Sequence, residues 1–300
     1  MTKIALVGAG KVGTTICELL LGTGDYEITL LDSVAANLDA VPESPGLTRQ
    51  CMKIADQQAL EAVIASHFAV LCAGPFFLTP VVAAAARAQA VHYLDLTEDV
   101  ASTRTVLALA EGAESTFIPQ CGLAPGFISV VAQWLCNKFD ELDVVRLRVG
   151  ALPRYPTNSL SYNLTWSTDG LINEYCEPCE AILDGHRRSL PPLTQRKAFS
   201  LDGTRYESFN TSGGLGSLAD TLEGRVNNLN YQTIRYPGHL DIMRSLLQDL
   251  RLTERRDLLK DILEYAVPAT YQDVVLIFAT VSGMRDGRLL QETYVNKVYG

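Results

Sequence analysis

Short apolar runs alternate with amphipathic stretches over residues 1 to about 122. Such runs are typical of strands buried on both faces of a parallel sheet, with helices in the connections. The pattern therefore predicts a doubly wound α/β domain. The strands are expected near residues 3–7, 28–31, 51–54, 68–72, 91–94 and 115–119, and the helices over Thr14–Leu21, Gln57–Ser66, Thr79–Ala90 and Val100–Glu111.

Longer runs with strict alternation dominate residues 123–300. They predict a largely antiparallel sheet, and Asp286-Gly287 between the last two runs is a hairpin signal. The second part is therefore predicted to be an α+β domain. Its strands are expected over Asp143–Leu152, Val226–Arg235, Asp273–Met284 and Leu289–Val298, and its helices over Pro125–Phe139, Asp169–Tyr175, Leu215–Leu222, Leu240–Leu250 and Glu254–Ala266.

A glycine turn joins the first predicted strand to the first predicted helix, with the sequence Gly8-Ala-Gly10-Lys11-Val12-Gly13. In a dinucleotide-binding turn the first glycine permits the tight bend, the second lets the pyrophosphate approach, and the third lets the helix pack on the sheet. An aliphatic strand before the turn and a helix after it favour this interpretation over an ordinary glycine-rich turn.

Asp32 directly follows the second apolar run, about 20 residues after Gly13, where a carboxylate binds the adenosine ribose in a dinucleotide-binding unit. A carboxylate accepts hydrogen bonds from both ribose hydroxyls and repels a 2′-phosphate. Residues 33–40 contain no Lys or Arg to offset that repulsion. The sequence therefore predicts NAD rather than NADP as the cofactor.

Composition and net charge indicate which classes of partner the protein binds. The 300 residues are 47% hydrophobic and 20% charged, with a formal net charge of -9. This balance is typical of a soluble two-domain protein and argues against broad binding to nucleic acid or an anionic membrane. Seven scattered cysteines and no visible signal segment predict a cytoplasmic location. We therefore expect a small-molecule substrate.

Three further loops follow predicted strands at their carboxyl ends, where doubly wound sheets bind ligands. The first contains Ala73, Gly74 and Pro75, the second Asp95, and the third residues 121–126. We expect all three to face the nicotinamide half of the cofactor. For Asp95 two structural alternatives stay open, a cap on the following helix or a bond to a loop N–H.

The segment Thr233–His239 carries the densest group of chemically active side chains. Arg235 is suited to a substrate carboxylate, and His239 titrates in the range useful for proton transfer. The Pro237-Gly238 turn is expected to present Arg235, Tyr236 and His239 together. Alternatively, Arg235 pairs with a structural acid and His239 caps a helix.

No metal site is predicted. Cys176-Glu-Pro-Cys179 has the spacing of half a zinc site, but no second pair of Cys or His follows at a suitable distance. The sequence also contains no GxSxG or HExxH motif, so nothing supports a hydrolase.

Several segments together resemble the saccharopine dehydrogenase family, particularly its lysine 6-dehydrogenase-like branch. They are Gly8–Gly13, Ala73–Phe76, Gly122–Gly126, Thr165–Tyr175 and Arg235–His239. The resemblance covers nearly the whole chain. It implies a dinucleotide-binding domain at 1–122, a substrate-binding and dimerisation domain at 123–300, and a homodimer. Relatives of this type are expected to continue into a last helical segment, whereas this sequence ends at Gly300.

The resemblance implies oxidation of a carbon–nitrogen bond at the lysine 6-carbon, towards 2-aminoadipate semialdehyde. His239 or Asp95 is expected to take the proton from the substrate amine, while Arg235 and Tyr236 hold a substrate carboxylate. A carboxyspermidine-type reductive dehydrogenase and a non-catalytic NAD-binding protein stay open as alternatives.

Overall fold

The computed structural model describes residues 1–300 and divides the chain into two units, Met1–Gly122 and Leu123–Gly300. Each unit has its own sheet. The first unit is the doubly wound parallel domain that the apolar runs predict, and the second is built on a mixed sheet. The predicted fold class is therefore confirmed.

The six-stranded sheet of the first unit has the order β3-β2-β1-β4-β5-β6, and every neighbouring pair is parallel. The order reverses between β1 and β4, which is the switch point where such sheets bind ligands. The strands are β1 (Thr2–Val7), β2 (Tyr26–Asp32), β3 (Leu47–Cys51), β4 (Ala69–Cys72), β5 (His92–Asp95) and β6 (Phe117–Ile118), and the helices are α1 (Lys11–Thr23), α2 (Ala35–Asp39), α3 (Gln57–Ile64), α4 (Thr79–Ala88) and α5 (Val100–Ala110).

One strand of this unit was placed wrongly by the apolar pattern. β3 covers Leu47–Cys51, whereas the sequence predicted a strand at 51–54. β3 is a largely exposed edge strand with a polar sequence, so it carries no apolar run. Ile54 lies in the loop after β3 and its side chain is buried. The apolar run around it therefore gave the pattern of a strand although the chain forms none there.

The second unit has an eight-stranded sheet with the main order β10-β11-β12-β7-β13-β14, and β8 pairs with both β12 and β9. All pairs are antiparallel except β12 with β7. The strands are β7 (Glu141–Pro153), β8 (Cys179–Leu183), β9 (His186–Leu190), β10 (Lys197–Leu201), β11 (Thr204–Asn210), β12 (Val226–Arg235), β13 (Asp273–Arg285) and β14 (Arg288–Tyr299), and the helices are α6 (Phe127–Cys136), α7 (Thr168–Cys176), α8 (Leu218–Leu222), α9 (His239–Arg244) and α10 (Arg256–Ala266).

The apolar pattern missed β8 to β11. β9 and β10 are mostly exposed and polar, so neither contains the alternation that marks a half-buried strand. The predicted helix at Leu240–Leu250 is also different, because α9 ends at Arg244 and continues as a π-helical turn over Ser245–Asp249.

β12 presents different chemistry on its two faces. Successive side chains of a strand point to opposite sides. Leu229 and Tyr231 pack into one core with α6 and α8, and Arg235 points to this same side. Ile234 packs into a separate core with Tyr206 and Phe278 on the other side. We call the side of the sheet that carries Arg235 the inner face and the side that carries Gln232 the outer face.

No helix of the structure has the length and apolar character required to cross a membrane.

Candidate functional site

Close packing makes Gly8 and Gly13 obligatory in the first turn. A Cβ on Gly13 would lie 1.9 Å from the carbonyl oxygen of Gly8, and one on Gly8 would lie 2.9 Å from the backbone of Ala73 and Gly74. Gly8 also has φ +102°, which a side chain disfavours. The turn is therefore fixed by backbone contacts between the ends of β1 and β4.

Gly10 has a different environment, since a Cβ there would meet nothing within 4 Å. It is the N-cap of α1, and no side chain caps that helix. Lys11 and Val12 begin the helix, and Val12 is 44% exposed. An uncapped helix start with open space over a glycine fits a pyrophosphate, which would bind the N–H groups there.

Asp32 is the last residue of β2 and is 9% exposed. Its Oδ2 accepts a hydrogen bond from the Ala9 backbone N–H at 2.7 Å, and its Oδ1 accepts one from Val34 N–H at 2.8 Å. The carboxylate therefore fixes the glycine turn against β2. It stands at the strand end where a ribose is bound in this fold.

The nearby guanidinium of Arg49, on β3, is already engaged. Its Nη1 donates to the carbonyl oxygens of Leu38 and Val41 at 3.2 and 2.9 Å, and its Nη2 pairs with Glu43 at 3.1 Å. These bonds hold the loop after α2 and direct the guanidinium towards that loop and Glu43.

Ala73, Gly74 and Pro75 follow β4 and lie beside the glycine turn. The Ala73 N–H donates to the Val7 carbonyl at 2.8 Å, and Pro75 precedes a 3₁₀ turn at Phe76–Leu78. The structure thus brings this predicted segment into contact with Gly8.

Asp95 ends β5 and is fully buried. Its Oδ1 accepts hydrogen bonds from the backbone N–H groups of Thr97 and Gln120 at 3.0 and 2.9 Å. Its Oδ2 accepts the Tyr93 hydroxyl at 2.8 Å. Burial raises the pKa of the Asp95 carboxyl, and these hydrogen bonds oppose that rise. The loop N–H alternative is the arrangement found, whereas Asp99 caps α5.

Arg235 ends β12, and its side chain is buried on the inner face. Its Nε donates to the Tyr175 hydroxyl at 2.8 Å and its Nη1 to the Ile234 carbonyl at 2.9 Å. The guanidinium carbon lies 5.4 Å from the ring centre of Tyr162. Glu174 acts on it favourably at longer range, but no carboxylate forms an ion pair with it. This is a buried cation held by neutral groups.

His239 continues this chain of hydrogen bonds. Its Nδ1 lies 2.9 Å from the Leu160 carbonyl, which only accepts, so Nδ1 carries the proton. Its Nε2 then accepts the Tyr175 hydroxyl at 3.0 Å. Burial, reinforced by the charge of Arg235, lowers the pKa of His239 to about 3. His239 is therefore neutral, and Tyr175 links it to Arg235.

Tyr236 lies apart from these residues. Its hydroxyl donates to the Pro153 carbonyl at 2.9 Å, and its ring stacks on Tyr206 at 5.6 Å between centres. It packs with the outer-face core. The structure brings Arg235 and His239 together through Tyr175 and does not bring Tyr236 to them.

Sequence reasoning gave Tyr175 and Tyr162 no role in this site. Tyr175 lies on the last turn of α7, which the Ser167 hydroxyl caps. The only signal was the position of Tyr175 at the end of the Thr165–Tyr175 motif. Nothing in the sequence couples it to residues 60 or more positions later.

Elsewhere, no three His, Cys, Asp or Glu side chains are grouped so that they could hold a metal ion. Cys176 and Cys179 are free thiols, and burial raises the pKa of both.

A glycine turn at the switch point of a parallel sheet, followed by a unit built on a mixed sheet, is the architecture of a two-domain protein with a dinucleotide-binding domain of the Rossmann type. Residues 4–117 match the family model described as "Saccharopine dehydrogenase NADP binding domain", and residues 122–295 match "Saccharopine dehydrogenase C-terminal domain". The chain belongs to the saccharopine dehydrogenase family. It has the NAD(P)-binding domain of that family, as the resemblance predicted.

Two curated relatives are described as mitochondrial alpha-aminoadipic semialdehyde synthase. The protein from Bos taurus is 22% identical over 321 aligned residues, covering 99% of this chain and 33% of the relative. The one from Mus musculus is 25% identical over 190 residues, covering 61% of this chain and 20% of the relative. The chain thus spans about a third or less of the length of these relatives.

Two solved structures share the fold. Saccharopine dehydrogenase (L-Glu forming) from Saccharomyces cerevisiae has a TM-score of 0.79 at 17% identity, covering 100% of this chain and 86% of that one. Homospermidine synthase from Legionella pneumophila, in complex with NAD, has a TM-score of 0.62 at 16% identity, covering 98% and 77%.

Proposed function

We propose that this oxidoreductase uses NAD to oxidise a carbon–nitrogen bond at the 6-carbon of lysine or of saccharopine, towards 2-aminoadipate semialdehyde. The observation that carries the proposal is the buried guanidinium of Arg235, which forms no ion pair with a carboxylate of the chain. A buried cation is costly unless it is paired, so a site of this kind favours a ligand that brings a carboxylate.

Arg235 holds the substrate in this proposal. Its Nη2 makes no hydrogen bond within the chain, because Nε is engaged with Tyr175 and Nη1 with Ile234. A charge-assisted bond to a substrate carboxylate would fix the distance from that anchor to the reacting carbon. Tyr236 is proposed to act indirectly, by supporting the turn that follows Arg235.

The proton acceptor is proposed to be His239 or Asp95. A free lone pair on the substrate nitrogen is needed before hydride leaves the neighbouring carbon, so one of these groups must accept a proton. Arg235 is one cause of the low pKa of His239. A carboxylate bound to Arg235 would offset its charge and make His239 more basic when substrate is present. For Asp95, burial raises the pKa and so increases its basicity.

NAD is the proposed cofactor, held by Gly8, Gly10, Gly13 and the first turn of α1, with Asp32 on the ribose. When bound, the nicotinamide accepts the hydride from the substrate carbon. The Asp32 charge and the engagement of Arg49 by loop carbonyls and Glu43 favour the cofactor without a 2′-phosphate.

A homodimer formed through the second unit and a cytoplasmic location belong to the same proposal. Leu289, Val295 and Tyr299 of β14 are exposed, which supports an apolar contact along that edge. Analytical ultracentrifugation tests the assembly, since Leu289→Lys with Val295→Lys is expected to convert a dimer to monomers. A wild-type protein that sediments as a monomer at micromolar concentration contradicts it.

Incubation with NAD and each of lysine, saccharopine and ornithine tests the activity. Formation of reduced nicotinamide with lysine or saccharopine, followed by its absorbance, is the expected result. Turnover only in the reductive direction, with a diamine and an amino-acid aldehyde, would favour the carboxyspermidine-type alternative. Binding of NAD without turnover in either direction would favour the non-catalytic alternative.

His239→Gln and Asp95→Asn separate the two candidate proton acceptors. The variant that removes the true acceptor is expected to lower kcat by about 100-fold or more while NAD still binds. Full activity in both variants would contradict the assignment. The His186→Gln variant is the matched control, because His186 is exposed at the start of β9.

A further inference from the structure

A small basic pocket opens on the outer face of the second sheet. It has a volume of about 100 Å³. β7 and β12 form its floor, where Arg148 pairs with Gln232 and Arg146 with Asn230. Gln232 and Arg235 are three positions apart on one strand, so they point to opposite faces. The pocket is therefore distinct from the Arg235 site. It is lined by Arg146, Leu147, Arg148, Lys197, Asn230 and Gln232.

Arg148 is positioned for a ligand. Its guanidinium carbon lies 4.8 Å from the ring centre of Phe199 and 5.1 Å from that of Phe278. Those two rings pack edge to face, 5.5 Å apart. The rings restrict the half-buried guanidinium, yet none of its donors makes a hydrogen bond or ion pair within the chain. Arginine donors lie in the guanidinium plane, so stacking leaves them available for an acceptor.

The other charges of the pocket have the same sign. Arg146 and Lys197 form no ion pair, and no carboxylate lines the pocket. Burial, together with the charge of Arg146, lowers the pKa of Arg148. Burial and both arginines lower the pKa of Lys197. No carboxylate of the pocket lining offsets this repulsion between cations.

The polar wall beside them is already fixed. Gln232 Nε2 donates to the Gln195 carbonyl at 2.9 Å and to Asn210 Oδ1 at 3.2 Å, while its Oε1 accepts the Ser208 hydroxyl at 2.9 Å. These bonds hold the segment that enters β10 and therefore the position of Lys197. The pocket has a rigid wall and cationic donors without acceptors.

We propose that this pocket binds a tetrahedral oxyanion with two negative charges, of the size of inorganic phosphate. A liquid water occupies about 30 Å³. The pocket thus takes an anion a few times larger than water, and a nucleotide exceeds it. Free phosphate and the phosphate of a small phosphomonoester share this chemistry.

Titration of the full chain with inorganic phosphate at pH 8 tests the proposal, with sodium chloride holding the ionic strength constant. The readouts are isothermal titration calorimetry and the ³¹P line width. One saturable site per chain is expected. A parallel titration with O-phosphoserine separates the two sources, since tighter binding of the ester identifies a phosphomonoester and tighter binding of phosphate identifies the free ion.

Arg148→Met and Lys197→Met each remove one cation, and Met retains most of the apolar stem. Each is expected to weaken phosphate binding by about tenfold or more, as a lost charge-assisted contact does. The control is Arg205→Met, because Arg205 is exposed on β11 and lies on the opposite face from Tyr206. Lys197 is exposed, so its variant keeps the test valid if Arg148→Met fails to fold.

Unchanged binding in Arg205→Met, with weakened binding in the other two variants, supports the site. Equal weakening in all three variants would show a general charge effect and overturn it. Absence of saturable binding in the wild-type protein would also overturn it, including the case in which a second copy of the chain covers the outer face.

Discussion

The two units build their buried polar sites in different ways. In the first unit, the Asp95 carboxylate accepts three hydrogen bonds, two of them from backbone N–H groups, and Asp32 is fixed by the N–H groups of Ala9 and Val34. In the second unit, Arg235 is held mainly by a tyrosine hydroxyl and has no carboxylate partner. The first arrangement satisfies its charge with bonds from the fold itself, whereas the second leaves the guanidinium without an ion pair and is proposed to bind a substrate carboxylate.

This difference has a physical consequence. A carboxylate that receives backbone donors is stabilised by the fold itself, because those donors cannot move without unfolding the chain. A buried guanidinium that forms no ion pair has donors and charge available to bind an anion. The first unit is therefore expected to be sensitive to backbone changes, and the second to changes of side-chain charge.

The largest expected effect is on the stability of the glycine turn at Gly8–Gly13, which backbone contacts hold in place. Gly13→Ala places a Cβ 1.9 Å from the Gly8 carbonyl oxygen, so we expect the free energy of unfolding to fall by more than about 4 kcal/mol. Urea denaturation measures this. In the matched control Gly10→Ala, the Cβ meets nothing within 4 Å, so stability is kept while NAD binding weakens. Equal destabilisation by both would contradict the assigned roles.

The next effect concerns the buried cation. Arg235→Met is expected to lower kcat/KM for a carboxylate-bearing substrate by about 1000-fold, because the anchoring charge is lost. The free energy of unfolding should change by no more than about 1 kcal/mol, or rise, since no ion pair is broken. A loss of stability of several kcal/mol, absent from the Arg205→Met control, would make Arg235 a structural residue and remove the contrast between the units.

His239 predicts a pH dependence of stability. Its pKa is lowered to about 3 in the folded chain, against about 6.5 when unfolded. Above pH 6.5 the imidazole is neutral in both the folded and the unfolded chain, so it adds no pH dependence to the free energy of unfolding. As the pH falls from 6.5 towards 3, only the unfolded chain binds the proton, so stability decreases by about 1.4 kcal/mol per pH unit. Urea denaturation at pH 7, 6, 5 and 4 gives the free energy of unfolding at each pH. This free energy should fall less steeply with decreasing pH in His239→Gln than in His186→Gln. Identical slopes would refute it.

The smallest effect is on cofactor choice. Asp32→Asn retains an oxygen for the Ala9 N–H but removes the charge that repels a 2′-phosphate. We expect the ratio of NAD to NADP affinity to fall by about tenfold. The free energy of unfolding is expected to fall by about 1 to 2 kcal/mol, because the new amide nitrogen faces the Val34 N–H and cannot accept its hydrogen bond. Fluorescence titration with both cofactors measures the ratio, and an unaltered ratio would show that Asp32 does not set the preference.

The backbone-built site was largely predictable from the sequence, and the side-chain-built site was not. The glycine turn and Asp32 lie within a single strand–helix–strand unit, so local spacing determines their arrangement. Tyr175 reaches Arg235 and His239 from a helix 60 and 64 positions earlier, and only the tertiary fold brings them together. β8 to β11 were missed for a related reason, because pairing with neighbours, rather than their own apolar pattern, makes them strands.

Tyr236 illustrates an error that the sequence could have prevented. The Pro237-Gly238 turn predicts that it lies beside Arg235 and His239. Adjacent residues at the end of a strand point to opposite faces, and the ring of Tyr236 indeed packs with Tyr206 on the outer face. The alternation of side chains along a strand therefore argues against Arg235 and Tyr236 acting together. It places residues two positions apart, such as Thr233 and Arg235, on the same face.

The two faces of β12 also determine where the chain tolerates a change of length. One inserted or deleted residue within β12 would reverse every side chain beyond it, exposing the guanidinium of Arg235 and burying its neighbour. The tight turn at Asp184-Gly185, which joins β8 to β9, carries no buried charge, and its Gly185 N–H donates to the Asn227 carbonyl. Length variation among descendants of this sequence should therefore accumulate in that turn and be absent from β12, whatever substrate each descendant acquires.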